Sequence, residues 1–151
     1  MTVSFARGTR RSQRRLSARA MLGVCLLACS ALTGCDPFSD VRAGLNPSDR
    51  ERFDRGLRAA TPCWSCHDPT GDALKIGPPL RGLFGQTAGF VKGFPYSSKM
   101  RESPVEWDED TLDRFLANPQ WLIPQNRMIF APMTDARTRA DLVFFLGVIY
   151  R

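Results

Sequence analysis

Five consecutive residues of this 151-residue chain, Cys63-Trp64-Ser65-Cys66-His67, constrain its fold more than any other feature. Two thiols separated by two residues, with an imidazole directly after them, match the spacing at which haem is attached covalently to protein. Each thiol adds across one vinyl group of the haem, and His67 then supplies a nitrogen ligand to the iron. The motif therefore predicts one covalently bound haem c, attached through Cys63 and Cys66, inside a fold that surrounds it.

Two other kinds of site also use paired cysteines. A structural zinc site needs four Cys or His ligands, usually as two separated pairs, whereas His67 is the only histidine and no second pair completes such a site. A redox-active dithiol belongs at the start of a helix in a strand-rich βαβ pattern, which does not surround Cys63. The dithiol is the main alternative to haem.

The first 34 residues have the composition of an export signal. Six arginines precede an apolar stretch, 20–32, that is too short to span a bilayer comfortably. The stretch leads into Leu32-Thr33-Gly34-Cys35, which resembles a bacterial lipobox, in which the cysteine is acylated and becomes the first residue of the mature protein. We therefore expect residues 1–34 to be a signal peptide and Cys35 to carry lipid, palmitate included. The alternative is an ordinary signal peptide with a chance cysteine.

Cleavage of this signal changes both the charge and the cysteine inventory. The formal charge of +6 comes from the six signal arginines, so the remaining chain has 15 basic and 15 acidic residues. This balance removes the reason to expect nucleic acid as a partner. With Cys25 and Cys29 lost, Cys35 acylated, and Cys63 and Cys66 bound to haem, no cysteine is left for a disulfide.

The rest of the chain has mainly helical patterns. Residues 35–47, with Pro37 and Gly44 and little apolar periodicity, predict a flexible tether leading to a domain over 48–151. Capping residues and apolar spacing predict three helices: one from Asn46-Pro47 to the haem motif, one from Asp108-Glu109-Asp110 to a point before Pro119, and one over 138–150. The Gly- and Pro-rich segment 77–95 predicts an ordered loop. The expected fold is all-α, with three to four helices and long loops around one haem.

The ligand on the far side of the iron can first be considered from the residues alone. Because His67 is the only histidine, ligation by two histidines is impossible, which leaves methionine, lysine, asparagine, water or no ligand. The methionines of the mature chain are Met100, Met128 and Met133. A lone methionine is more often core filler than a ligand, so the residues alone leave this position open.

The order of these segments resembles the class I c-type cytochromes, and most closely the mitochondrial cytochrome c and bacterial cytochrome c2 group. The resemblance covers 48–149 and rests on these sequences: Gly77-Pro78-Pro79-Leu80, Gly82-Leu83-Phe84-Gly85, Gly93-Phe94-Pro95-Tyr96, Trp107, Asn118-Pro119, Ile123-Pro124, Met128-Ile129-Phe130-Ala131 and Arg139-Ala140-Asp141-Leu142. It implies that Met128 is the second iron ligand and that the Pro78 carbonyl holds the imidazole N–H. It further implies that Tyr96 and Trp107 donate hydrogen bonds to a buried haem propionate.

Several positions depart from the family pattern. Gln86 stands where an arginine near a propionate is common, which implies a somewhat lower reduction potential. Phe115 replaces a frequent tyrosine, and Met100 replaces a polar asparagine. Gln120 and Trp121 stand where the family has lysines for partner docking, so the mitochondrial ring of docking lysines is largely missing.

The residues and the resemblance together predict a membrane-tethered carrier of single electrons, with no small-molecule substrate at the iron. Its expected partners are redox proteins of a respiratory or photosynthetic chain, such as a quinol-cytochrome c reductase and a terminal oxidase or reaction centre. Its expected location is the bacterial cell envelope, at the periplasmic face of the inner membrane. The alternative function is a haem enzyme, peroxidase-like or an oxidase subunit, with an open iron position; the lack of a distal histidine counts against it. A third class, a non-redox anchor or assembly factor, would have no use for the haem.

Overall fold

A computed structural model describes residues 36–70 and 72–151. Apart from Asp36, these residues belong to the compact unit Pro37–Arg151. The predicted signal peptide, 1–34, and the predicted lipid attachment site, Cys35, lie outside the described residues. No helix within 36–70 or 72–151 is both long enough and apolar enough to cross a membrane.

Six α-helices and one short 3-10 helix make up the regular structure of the described residues. In chain order they are α1 (Ser39–Gly44), α2 (Pro47–Ala60), the 3-10 helix (Thr61–Ser65), α3 (Ser98–Arg101), α4 (Glu109–Ala117), α5 (Pro119–Leu122) and α6 (Ala136–Tyr150). The one extended pairing in this part of the chain is an isolated antiparallel bridge between Thr87 and Glu106. The prediction of an all-α fold is therefore confirmed.

Short polar side chains cap the N-terminal ends of the three longest helices. Each accepts a hydrogen bond from the backbone N–H three residues further along the chain. These bonds are Asn46 to the N–H of Asp49 at 3.0 Å, Asp108 to the N–H of Thr111 at 2.8 Å, and Asp135 to the N–H of Thr138 at 2.7 Å. The first two starts were predicted. The last helix begins at Ala136, earlier than predicted, because Asp135 caps it.

Helices α2 and α6 cross at close range in the core. A Cβ atom on Gly56 of α2 would lie 2.2 Å from the carbonyl oxygen of Asp141 and 2.6 Å from Cβ of Phe145. Beside this contact the rings of Phe53 and Phe145 meet edge to face, with their centroids 4.9 Å apart. The missing side chain at Gly56 therefore sets the distance between the two helices that carry the core.

The Gly- and Pro-rich segment 77–95 forms an irregular loop, as predicted. Backbone hydrogen bonds hold it against the stretch that leads into α4: the N–H of Gly85 bonds to the carbonyl of Trp107, the N–H of Trp107 to the carbonyl of Gln86, and the N–H of Ala88 to the carbonyl of Val105, each at 2.8 Å. The loop is thus attached to the core by its own backbone.

The structure differs from the prediction in the segment expected to be a flexible tether. Phe38 is only 6 % exposed, and its ring centroid lies 5.5 Å from that of Phe145. Directly after it, Arg42 of α1 forms an ion pair with Asp54 of α2 at 2.5 Å. The Arg50 side chain also donates to the carbonyls of Ala43 and Leu45, at 3.3 and 3.1 Å. These contacts join the segment to other helices through single side chains, so the apolar periodicity that predicts helices did not reveal them. Only Asp36 and Pro37 precede the buried ring among the described residues.

Candidate haem site

The 3-10 helix that follows α2 brings the three residues of the haem motif into one turn. The backbone N–H groups of Cys66 and His67 both donate to the carbonyl of Cys63, at 3.0 and 2.8 Å. Both cysteines are half-buried and neither forms a disulfide in the described part of the chain. Burial raises the pKa of the Cys63 thiol. Both thiols are thus free to form thioethers.

The imidazole of His67 is oriented by the loop that follows it. Its Nδ1 atom lies 2.6 Å from the carbonyl oxygen of Pro78. A carbonyl can only accept, so Nδ1 carries the proton and Nε2 keeps the lone pair that binds metal. Burial lowers the pKa of His67, although the bond to Pro78 acts in the opposite direction. The structure therefore holds the ring in the tautomer that would leave Nε2 able to bind the haem iron.

Gly77 lies directly against the ring of His67. A Cβ atom at this position would lie 2.5 Å from Cε1 and 2.7 Å from Nδ1 of the imidazole. The N–H of Gly77 also donates to the carbonyl of Cys66 at 2.8 Å. The sequence marked Gly77 only as part of a family motif, whereas the structure shows that no side chain fits between this loop and the ring.

Two residues that sequence analysis did not single out hold the chain around the motif. The Lys75 ammonium donates to the carbonyl of Trp64 at 2.6 Å and to that of His67 at 3.1 Å. The Tyr150 hydroxyl, at the end of α6, donates to the carbonyl of Pro69 at 2.8 Å. Both bonds join segments that no local sequence pattern relates, so no sequence signal could have identified them.

Met128 is half-buried in the loop between α5 and α6, and Asn126 fixes the path of that loop. The Asn126 side chain donates to the carbonyls of Pro119 and Ile123 at 2.9 and 2.8 Å, and accepts from the N–H of Met128 at 2.9 Å. Asn126 is itself buried. One amide side chain therefore determines where the backbone of Met128 lies.

Gln120 supports the same loop from outside. Its side-chain oxygen accepts from the N–H of Gln125 at 2.9 Å, and its side-chain nitrogen donates to the carbonyl of Asn126 at 3.1 Å. Gln125 has a φ of 60°, so the chain turns sharply there. The residue that replaces a docking lysine of the family thus has its amide engaged within its own loop.

Met133 and Met100, the other methionines of the domain, have different surroundings. Met133 donates its N–H to the carbonyl of Leu116 at 3.0 Å, and its own carbonyl accepts from Arg139 at 2.7 Å. Met100 is buried in the hydrophobic core. Neither follows a loop fixed in the manner of Met128.

Tyr96 and Trp107 are both buried, each against another aromatic ring. The Tyr96 ring centroid lies 4.7 Å from that of Phe94, and the Trp107 centroid lies 5.1 Å from that of Phe115. Burial raises the pKa of Tyr96, so its hydroxyl keeps the proton that it could donate. No hydrogen bond between described residues joins Tyr96, Trp107 or Met128 directly to His67. Of the predicted site residues outside the motif, only Pro78 is joined to His67 by a hydrogen bond within the described chain.

These residues fit a covalently attached haem. Two free thiols stand one turn apart, the adjacent imidazole presents an unprotonated nitrogen, and Gly77 places no side chain against that imidazole. When bound, haem supplies the iron that gains and loses one electron. In that case Cys63 and Cys66 would attach the haem, and the Pro78 carbonyl would hold the His67 imidazole in place.

Comparison with known proteins supports the same assignment. Cytochrome c 2.1 of Caenorhabditis elegans is 41 % identical over 86 residues, which is 57 % of this chain and 78 % of that protein. Cytochrome c of Chlamydomonas reinhardtii is 42 % identical over 87 residues, again 57 % of this chain and 78 % of that protein. No family model matches the chain.

A solved structure extends the similarity to the fold. Cytochrome cH from Methylobacterium extorquens superposes with a TM-score of 0.59 at 29 % identity, covering 63 % of this chain and 96 % of that one. The chain therefore belongs to the cytochrome c family: it is a class I c-type cytochrome that carries one covalently attached haem c and transfers electrons rather than catalysing a reaction.

Proposed function

We propose that this cytochrome is a membrane-tethered electron carrier in which His67 and Met128 bind the two axial positions of one haem iron. The observation that carries the proposal is the 2.6 Å contact between His67 Nδ1 and the Pro78 carbonyl, which leaves Nε2 available to a metal. With both axial positions filled, the iron changes oxidation state without binding a substrate. That is the chemistry of a carrier between redox proteins.

The network around Asn126 supports Met128 as the second ligand. A thioether favours ferrous over ferric iron, so methionine ligation raises the reduction potential into the range of electron relays. The ligand must also stay in place in both oxidation states. Asn126 anchors the Met128 backbone with a buried side chain, whereas the Met133 backbone is attached to α4 and Arg139.

Replacing Met128 with Ala tests the ligand assignment. The variant should keep its covalent haem, lose the weak absorption band of methionine bound to ferric iron, bind external ligands such as azide, and have a potential lower by on the order of 0.1 V or more. Met133→Ala, which removes the neighbouring thioether, should keep the band. The opposite pattern, with the band lost only in Met133→Ala, would assign the ligand to Met133.

We further propose that the protein is held at the periplasmic face of a bacterial inner membrane by lipid on Cys35. Support comes from the lipobox-like sequence that ends at Cys35 and from the arginine-rich segment before it. Acyl chains contribute about 0.8 kcal/mol per buried methylene, so two or more give durable anchoring. The redox partners would then be membrane complexes in the same leaflet, such as a quinol-cytochrome c reductase and a terminal oxidase or reaction centre.

The exposed residues near the Met128 loop favour partner contact through apolar groups. Trp121 is 86 % exposed and Ile129 is fully exposed, while Gln120 is engaged within the loop. The mature chain has equal numbers of acidic and basic residues. Long-range attraction therefore contributes little to encounter, and confinement to one membrane surface replaces it.

Two measurements test the anchor. Cys35→Ser should be released from membranes by a salt wash, whereas the unaltered protein should be retained. The chain lacking residues 1–35 should also transfer electrons to oxidase-containing membranes much more slowly than the anchored protein. The rate of the anchored protein should depend weakly on salt between about 20 and 300 mM, where the Debye length falls from roughly 20 to 6 Å. If Cys35→Ser is processed and still retained after the salt wash, or if the rates are equal with and without residues 1–35, lipid on Cys35 is not the anchor.

A further inference from the structure

A cleft lined by arginines lies beside the crossing of α2 and α6, away from the residues that hold the haem motif. It encloses about 360 Å³ and is lined by Arg55, Arg58, Ala59, Arg137, Thr138 and Asp141. Three guanidinium groups face one carboxylate here. The cleft therefore carries excess positive charge, although the mature chain as a whole is neutral.

The carboxylate in the cleft is already neutralised by neighbouring arginines. Asp141 is buried and pairs with Arg55 at 2.6 Å and with Arg52 at 3.5 Å. The side chains of Arg58 and Arg137 are exposed, and among the described residues neither has a hydrogen-bonding partner. Two planar guanidinium groups are thus available to a ligand, and their geometry suits phosphate oxygens.

A second carboxylate beside the cleft, Asp135, is also engaged. Asp135 caps α6 by accepting from the N–H of Thr138 at 2.7 Å. That hydrogen bonding with Thr138 lowers the pKa of Asp135, and Arg137 and Arg139 act on it in the same direction. Asp135 therefore stays ionised as a helix cap. Glu51 and Asp54, each one turn before Arg55 and Arg58 on α2, are the other carboxylates that act on the cleft arginines.

The segment that follows Cys35 adjoins the same face of the domain. Arg42 of α1 pairs with Asp54 at 2.5 Å, and Asp54 lies one helical turn before Arg58 on α2. Only Asp36 and Pro37 separate the buried Phe38 from Cys35, so the chain between them spans at most about 11 Å. Acyl chains on Cys35 would bring lipid headgroups to within about that distance of Phe38.

We propose that Arg58 and Arg137 dock this face of the domain on the phosphates of anionic phospholipids, in the membrane that holds Cys35. The proposal rests on the lipid anchor of the proposed function, which brings the headgroups to this face. With the lipid anchor alone the domain could rotate about its short N-terminal segment. Docking would fix the orientation of the domain relative to the membrane. It adds a membrane contact to the anchor and involves none of the residues that hold the haem.

The test uses the haem-loaded chain of residues 36–151, which keeps the whole compact unit and lacks the acylated cysteine. It is sedimented at low salt with vesicles of phosphatidylcholine alone or with added phosphatidylglycerol. We expect binding only to the anionic vesicles. The double variant Arg58→Gln/Arg137→Gln should bind about thirtyfold more weakly, the equivalent of about 2 kcal/mol for two arginines at a charged surface.

Lys92→Gln/Lys99→Gln is the matched control, because it removes the same charge at two exposed positions outside the cleft. It should change vesicle binding less than threefold. Equal weakening by the two double variants, or no binding of the unaltered chain to anionic vesicles, would overturn the proposal. Calorimetric binding of inorganic phosphate to the cleft without binding to vesicles would also overturn it, in favour of a small-anion site.

These outcomes are separate from those that test the anchor itself. The vesicle measurement does not depend on Cys35. Finding Cys35 unmodified would therefore disprove the lipid anchor and leave the result of the vesicle measurement unchanged. The spectrum and reduction potential of Arg58→Gln/Arg137→Gln should equal those of the unaltered chain. A change in either would mean that the two substitutions together disturb the haem domain. Vesicle binding of the single variant Arg58→Gln would then decide the question. A fall of about fivefold in its affinity for anionic vesicles supports docking, and unchanged affinity overturns it.

Discussion

Gly77 and His67 meet where the loop after the haem motif turns back toward it. The glycine leaves space for the imidazole, its N–H holds the Cys66 carbonyl, and the next residue supplies the acceptor for Nδ1. Gly77 and Pro78 thus provide the space for the imidazole, the hydrogen bond to the Cys66 carbonyl and the acceptor for Nδ1. The orientation of the His67 imidazole depends on the backbone of this loop more than on any side chain.

Substituting Gly77 with Ala should disturb the His67 imidazole directly. The added Cβ would lie 2.5 Å from the ring, so the imidazole or the loop must move. We expect the free energy of unfolding to fall by about 1–3 kcal/mol, as in overpacked cores, together with a lower yield of covalent haem. Urea unfolding and a pyridine haemochrome assay measure the two effects.

Gly44→Ala is the control for that substitution. Nothing lies within 4 Å of a Cβ atom at Gly44. Its stability should change by no more than about 0.5 kcal/mol, with full haem yield. Equal stability and haem yield in the two variants would show that the 2.5 Å approach to His67 has no consequence.

Among the secondary-structure elements, the loop between α5 and α6 depends on one buried amide. Asn126→Ala removes two donated hydrogen bonds and one accepted bond, and leaves the carbonyls of Pro119 and Ile123 without that donor. We expect a loss of about 2–3 kcal/mol in the free energy of unfolding. Under the proposed ligation by Met128, the methionine-to-iron band should disappear at a lower temperature than the helical circular dichroism signal, because the loop detaches first.

Gln120→Ala provides the comparison at the edge of the same loop. It removes two hydrogen bonds from an exposed residue, so water replaces them at a cost of about 0.5–1.5 kcal/mol. The two spectroscopic transitions should remain closer together than in Asn126→Ala. A larger effect from Gln120 than from Asn126 would mean that the outer support, not the buried one, fixes the loop.

The helices could be predicted from the sequence where the signal is local. The starts of α2 and α4 follow from Asn46 and Asp108, and α4 ends before Pro119, because capping side chains and proline act within a few residues of where they stand. The haem motif is also local. The family resemblance supplied Pro78, and the structure contains the contact expected of it.

Contacts between distant segments could not be predicted in this way. Lys75 and Tyr150 hold carbonyls 11 and 81 residues away in the chain. Helix α1 was missed because its attachment depends on Phe38 and Arg42 meeting partners on α6 and α2. Such contacts depend on the tertiary fold, and a single sequence contains no spacing that reports them.

At the scale of the whole molecule, Phe38 joins the start of the domain to its core. Phe38→Ala should detach α1 while α2 and α6 stay packed, because Phe53 and Gly56 hold that crossing independently. Amide hydrogen exchange should accelerate in residues 39–45 and remain slow in α2 and α6. The control Val41→Ala truncates a side chain that is 43 % exposed and should leave exchange unchanged. Equal acceleration in α2 and α6 would show that α1 is part of the cooperative core.

The position of Phe38 also determines how the domain responds to mechanical load. A pull on the chain from its N-terminal side enters the fold at the contact between Phe38 and Phe145, and next meets the ion pair between Arg42 and Asp54. The haem motif begins 25 residues further along, behind α2, with Trp64 at 6.2 Å from the same Phe145 ring. Under tension α1 would therefore yield first, and its extension would absorb the displacement before any strain reached the thioether bonds.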